Sequence, residues 1–134
     1  MGNRPTAPRP LSPHLTIWRW QVHAIVSIMH RITGNAMALG AAWLFLWWLL
    51  AAASGPAAYQ DFRAVAFGPI GMIIAIGCTW LLFQHMASGV RHLIMDTGAG
   101  YDLVVSRRSA MLTFVFSAVA TALVWGFIMF TKGL

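Results

Sequence analysis

Residues 32–60 read ITGNAMALGAAWLFLWWLLAAASGPAAYQ, without one Asp, Glu, Lys or Arg. Coiled as a helix at about 1.5 Å per residue, this run is longer than the roughly 30 Å hydrocarbon core of a bilayer. Its apolar residues are continuous and lack period-two alternation, and a lipid-exposed backbone must satisfy its own hydrogen bonds, so a membrane-spanning helix is predicted. Upstream, Val22 to Met29 is mostly apolar and holds no breaker, so the helix begins before the run does. Downstream, Ser54-Gly55-Pro56 is a stop signal.

Two further uncharged stretches, Ala64 to Val90 and Ser109 to Thr131, are also long enough to cross. The second is predicted to start at Gly68-Pro69, with proline at an early helical position, and to continue through Asp96 until Gly98 and Gly100 interrupt it. The third follows Arg107-Arg108 and ends at Lys132-Gly133. The predicted fold is all-α, an integral membrane protein with three transmembrane helices. Composition agrees: of 134 residues 59% are hydrophobic, only 9% are charged and seven are Trp, a balance no small soluble domain keeps in solution.

A net charge of +6 would point to nucleic acid in a soluble chain, but here the nine Lys and Arg flank the spans and set orientation. No nucleic-acid partner is expected; the solvent is membrane lipid. Arg4, Arg9, Arg19, Arg31, Arg91, Arg107 and Arg108 lie on one side, against Arg63 and Lys132 on the other. This asymmetry places the N-terminus inside and the C-terminus outside. Residues 1–20, with prolines at 5, 8, 10 and 13, are predicted to lie extended on the inner surface, ahead of a three-helix transmembrane domain at 21–134. The head has no early apolar run, unlike a secretory signal.

A single Cys78 excludes an internal disulfide and any Cys-ligated cluster built by this chain alone. The ionisable residues gather instead at one depth. Ser27, His30 and Arg31 mark the inner end of the first span, and His85, Ser88, Arg91 and His92 that of the second. His85 lies roughly 9 Å deeper than Arg91, where an ionisable group is expensive and marks a functional site by default. His85, Gly89 and His92 share a helix face, as do Ser27 and Arg31, and Gly89 removes a side chain where something bulky can lie.

A deep histidine with a nearby glycine and flanking arginines suits a b-type haem: imidazole ligates iron, and guanidinium groups pair with propionates. Equally open from the residues alone is a polar His85 bonded to a neighbouring helix. On the haem reading the other axial ligand is His30 or comes from another polypeptide. The Ser27 hydroxyl and Arg31 guanidinium are donors for a quinone carbonyl, or else Arg31 snorkels to headgroups and Ser27 bonds back to its own helix. A proton-coupled transporter would also hold His and Arg in a membrane, though three spans without an inverted repeat make a poor alternating-access machine.

Three blocks then carry a family resemblance: Arg9-Pro10-Leu11-Ser12-Pro13-His14-Leu15, Ser27-Ile28-Met29-His30-Arg31-Ile32-Thr33-Gly34, and His85-Met86-Ala87-Ser88-Gly89-Val90-Arg91-His92-Leu93-Ile94-Met95-Asp96. In this order, and with the three spans, the chain resembles the cytochrome b membrane-anchor subunit of succinate dehydrogenase, complex II, over nearly its whole length. The opening block is similar to the form found in mitochondria and the related class of bacteria, with Trp18 where Tyr is expected.

The resemblance implies that His85 is the axial, iron-ligating residue of haem b, that His30 and Arg31 lie near its propionates, and that Ser27 and Arg31 line the ubiquinone site. It implies a subunit of an enzyme that is inactive alone: a flavoprotein subunit with FAD oxidises succinate, an iron–sulfur subunit with its clusters carries electrons, and a second small membrane-anchor subunit shares the single haem. Electron transport linked to the tricarboxylic acid cycle, in a bacterial inner (cytoplasmic) membrane, is the expected setting; a mitochondrial inner membrane and a fumarate reductase anchor are the alternatives. Arg91, His92 and Asp96 occupy family-pattern positions, with contacts to partner subunits as the plain alternative.

Overall fold

A computed structural model describes residues 18–132. Four helices follow one another: α1 (Val22–Ser54), α2 (Pro56–Ala66), α3 (Pro69–Asp96) and α4 (Leu103–Lys132). The three long helices are apolar and long enough to cross a membrane. The chain is thus an all-α, multi-pass membrane protein. The Pro-rich head, residues 1–17, lies outside the described residues, and helix begins at Val22 after an extended Gln21.

The breaks come from backbone chemistry. Gly55 adopts φ +105°, a region open to glycine, and Pro56 then opens α2 where its missing N–H is no loss. The predicted Gly68-Pro69 start of α3 is found, and so is its end at Asp96. Beyond it Gly98 and Gly100 take positive φ. The sequence reading started the third span after Arg107-Arg108; α4 begins earlier, at Leu103. The Asp102 carboxylate accepts the backbone N–H groups of Val104 (2.9 Å) and Val105 (3.2 Å), a cap that draws Arg107 and Arg108 into the helix.

α2 is the element that hydropathy misses, because eleven residues with Asp61 and Arg63 cannot span. It is amphipathic. Phe62 is buried edge-on to Trp47 of α1, with ring centres 4.8 Å apart, and the polar side chains turn outward.

Burial is inverted relative to a soluble protein. Among the described residues, Val26, Ala51, Phe62 and Ala110 are the buried apolar ones, whereas the buried polar set is Thr33, Gln84, Ser88, Arg91, Ser106, Thr113, Ser117 and Thr121. Leu, Ile, Phe and Trp face outward instead, as expected where lipid tails are as apolar as leucine and helices associate through small and polar residues. α3 is central, packed on α1 and α4. Its α4 side is joined by the fully buried Gln84, whose Nε2 donates to Thr113 Oγ1 (3.2 Å) and whose Oε1 accepts from Ser117 Oγ (2.9 Å). Further along, Trp125 Nε1 donates to Thr79 Oγ1 at 3.1 Å.

Candidate functional site

Where α1 crosses α3, His30 and His85 stack ring on ring, with centres 4.0 Å apart and planes within 10°. His92, two turns along α3 from His85, stands edge-on to His30 at 5.1 Å. Helical spacing explains the assembly, since offsets of three, four and seven put His85, Ser88, Gly89 and His92 on the side of α3 facing α1. Gly89 lies under the ring of His30: a Cβ there would meet His30 Cε1 at 3.5 Å, an ordinary contact distance.

The hydrogen bonds assign the tautomer of His85. His85 Nδ1 lies 3.1 Å from the His30 carbonyl oxygen and 3.1 Å from Thr33 Oγ1. A carbonyl only accepts, and the Thr33 hydroxyl donates its own hydrogen to that same carbonyl at 3.0 Å. His85 Nδ1 therefore carries the proton, which leaves Nε2 with its lone pair. His30 Nδ1 lies 2.8 Å from Ser88 Oγ, whose hydroxyl is also within 2.7 Å of the Gln84 carbonyl. Both imidazoles are thus held through Nδ1, His85 to α1 and His30 to α3.

Gly34 completes the seat of His85. A Cβ at that position would stand 2.8 Å from His85 Cε1, closer than real side chains allow, so only glycine lets the imidazole lie against α1 at this crossing. Thr33, Gly34 and Ser88 are the positioning residues that sequence reasoning left without a role. Their signal was spacing: Thr33 and Gly34 lie three and four residues after His30, on its helix face.

Ser27 and Arg31 form a neighbouring pair on α1. Arg31 Nη2 points to Ser27 Oγ at 3.5 Å, a long contact, with Arg31 exposed and Ser27 half-buried. His30 and Arg31 are consecutive on the helix and so diverge by about 100°. The structure accordingly brings His30 to His85 and leaves Ser27 and Arg31 as a separate donor pair one step around α1.

Arg91 belongs to neither group. It is 7% exposed and reaches α4, donating from Nε to Ser109 Oγ (3.1 Å) and from Nη2 to Ser106 Oγ (2.8 Å) and the Ser106 carbonyl (3.3 Å). Among the described residues no group of three or more His, Cys, Asp or Glu is arranged to hold a bare metal ion.

Three apolar spans and a paired-histidine crossing define a multi-pass helical membrane protein. The family described as the succinate dehydrogenase/fumarate reductase transmembrane subunit matches residues 5–124, and this chain belongs to it. The succinate dehydrogenase cytochrome b556 subunit of Paracoccus denitrificans is 40% identical over 115 residues, covering 86% of this chain and 88% of that protein. The corresponding b556 subunit of Rickettsia felis is 32% identical over 117 residues, 87% of this chain and 90% of that one. The mitochondrial cytochrome b560 subunit of Sus scrofa is 32% identical over 114 residues, covering 84% of this chain and 68% of the pig protein.

Proposed function

We propose that this chain anchors a succinate:ubiquinone oxidoreductase in the membrane, supplies His85 Nε2 as one axial ligand of haem b, and forms part of the ubiquinone-reduction site with Ser27 and Arg31. The observation that carries the reading is the Nδ1–H of His85 bonded to the His30 carbonyl. Metal-ligating histidines characteristically give their second ring N–H to a carbonyl or carboxylate, which fixes the tautomer and raises ligand basicity. An iron held by four macrocycle nitrogens would ask this chain for one imidazole.

Haem supplies a one-electron carrier when bound. Because the His30 and His85 rings stack 4.0 Å apart in near-parallel planes, we assign this chain the single ligand His85, and a second small anchor subunit would supply the other. His30 and Arg31, at the inner end of α1, are placed to meet the propionates, and Arg31 offers a permanent charge for them.

At the quinone site, Arg31 and Ser27, which lie 3.5 Å from one another, would offer hydrogen-bond donors to a carbonyl oxygen. Electrons reach this site from an iron–sulfur subunit docked on the basic inner surface, and a flavoprotein subunit performs succinate oxidation. The asymmetry of basic residues supports an inner N-terminus and outer C-terminus, in a bacterial cytoplasmic membrane. The names borne by its relatives favour succinate oxidation over fumarate reduction. The test is haem content per assembled complex: His85→Ala should abolish the b-type band in reduced-minus-oxidised spectra, and full retention of that band would overturn the assignment.

A further inference from the structure

Along the outer seam of α3 and α4 runs an apolar groove of about 420 Å³, with Met86, Val90 and Ile94 on one wall and Val105, Leu112 and Phe116 on the other. The α3 wall repeats every four residues on the side of the helix turned away from His85 and α1. Side chains along it are open to the surroundings: Val90 is 56% exposed and Leu112 64%. One charge meets the groove, that of Arg91.

Among the described residues Arg91 is buried without a counter-ion. All its recorded acceptors are uncharged oxygens of Ser106 and Ser109, and they engage only Nε and Nη2. Among the described residues Nη1 has no protein acceptor, nor is it a sealed, orphaned atom. A guanidinium at membrane depth with two N–H groups to spare calls for an anionic oxygen ligand. Depth specifies it further: Arg91 lies five residues, roughly 7 Å, short of the end of α3, and Ser106 and Ser109 are in the first two turns of α4. The groove continues from Val105 to Phe116, roughly 16 Å along α4, about half a hydrocarbon core.

We propose that the α3–α4 groove binds an anionic phospholipid, with its phosphate on Arg91 and one acyl chain along Val90, Leu112 and Phe116. The occupant must pair one negative head with an uncharged tail. A protein helix is disfavoured because the groove's remaining polar groups are already committed: Ser109 Oγ donates to the Ser106 carbonyl and Thr113 Oγ1 to that of Ala110. The site is on the far side of α3 from the histidines, so it stands or falls apart from the haem assignment.

The assembled complex, reconstituted in phosphatidylcholine nanodiscs containing a minor share of phosphatidylglycerol, is transferred to neutral detergent, and retained lipid is counted by native mass spectrometry. Wild type should keep phosphatidylglycerol in preference to phosphatidylcholine. Arg91→Gln, which removes a charge-assisted bond, should lower that retention about tenfold. Val90→Trp, at an exposed position where the helix packing is untouched, should block the groove and lower it as well, and decides the matter if Arg91→Gln fails to assemble. Arg108→Gln, an exposed neighbour, should leave it unchanged. Retention equal to wild type in the Arg91 or Val90 variants, equal loss in Arg108→Gln, no preference for the anionic lipid, or a photo-crosslinker at Leu112 that labels a polypeptide would each overturn the site.

Discussion

Gly34→Ala separates the stability of the bundle from the placement of the haem ligand. The added Cβ would lie 2.8 Å from His85 Cε1, about 0.6 Å inside the shortest ordinary contact, so the imidazole must shift by a few tenths of an ångström or more. Its freedom to do so is small: Nδ1 is bonded to the His30 carbonyl and Thr33, and the ring is stacked on His30. Overpacking of this kind costs about 1–3 kcal/mol, while Gly to Ala in a helix interior returns about 0.8–1.0 kcal/mol. Net destabilisation is therefore about 0–2 kcal/mol, too little to prevent folding, yet the strain falls on the iron ligand. Haem occupancy should drop about tenfold for each 1.4 kcal/mol that reaches that bond, or the low-spin signal in electron paramagnetic resonance should shift. Gly40→Ala is the matched control, because a Cβ there meets nothing within 4 Å. If Gly34→Ala and Gly40→Ala give the same haem content and spectrum, the seat assigned to Gly34 is wrong.

Other substitutions probe single bonds. Arg31→Ala should cut ubiquinone reduction by at least about tenfold, one charge-assisted hydrogen bond, and Ser27→Ala by about threefold or more, one neutral bond, while succinate oxidation with an artificial dye continues; equal loss of both rates would remove these residues from the quinone site. Thr33→Val keeps the shape but deletes the hydroxyl beside His85 Nδ1, so potentiometric titration should find a shifted haem midpoint with haem still bound, and an unchanged midpoint would reduce Thr33 to packing. Gln84→Leu removes two interhelical bonds whose partners, Thr113 and Ser117, keep their backbone acceptors. Thermal unfolding in detergent should show a loss of only about 1 kcal/mol, and failure to fold would show that the amide matters far more.

The spans were legible because the hydrophobic cost of membrane crossing is read residue by residue, and the glycine and proline breaks at 55, 56, 68 and 69 act locally. α2 escaped because a short amphipathic helix shows its apolar side only when Phe62 finds Trp47. At the site, shared depth and face brought His30 and His85 under suspicion, but not their stacking, which depends on how α1 crosses α3. Spacing puts Gly34 on the His30 face of α1, but its close approach to His85 is a property of two helices and is not written in either one. The bonds of Arg91 to Ser106 and Ser109 of α4 were not legible, because those partners are set by tertiary packing.

The most direct measurement is the haem content and optical spectrum of the assembled complex carrying His85→Gly, taken with and without added imidazole. The ligand assignment predicts that the b-type band is lost in the variant and returns with free imidazole, which fills the space the side chain left. A normal band in His85→Gly without imidazole would contradict it.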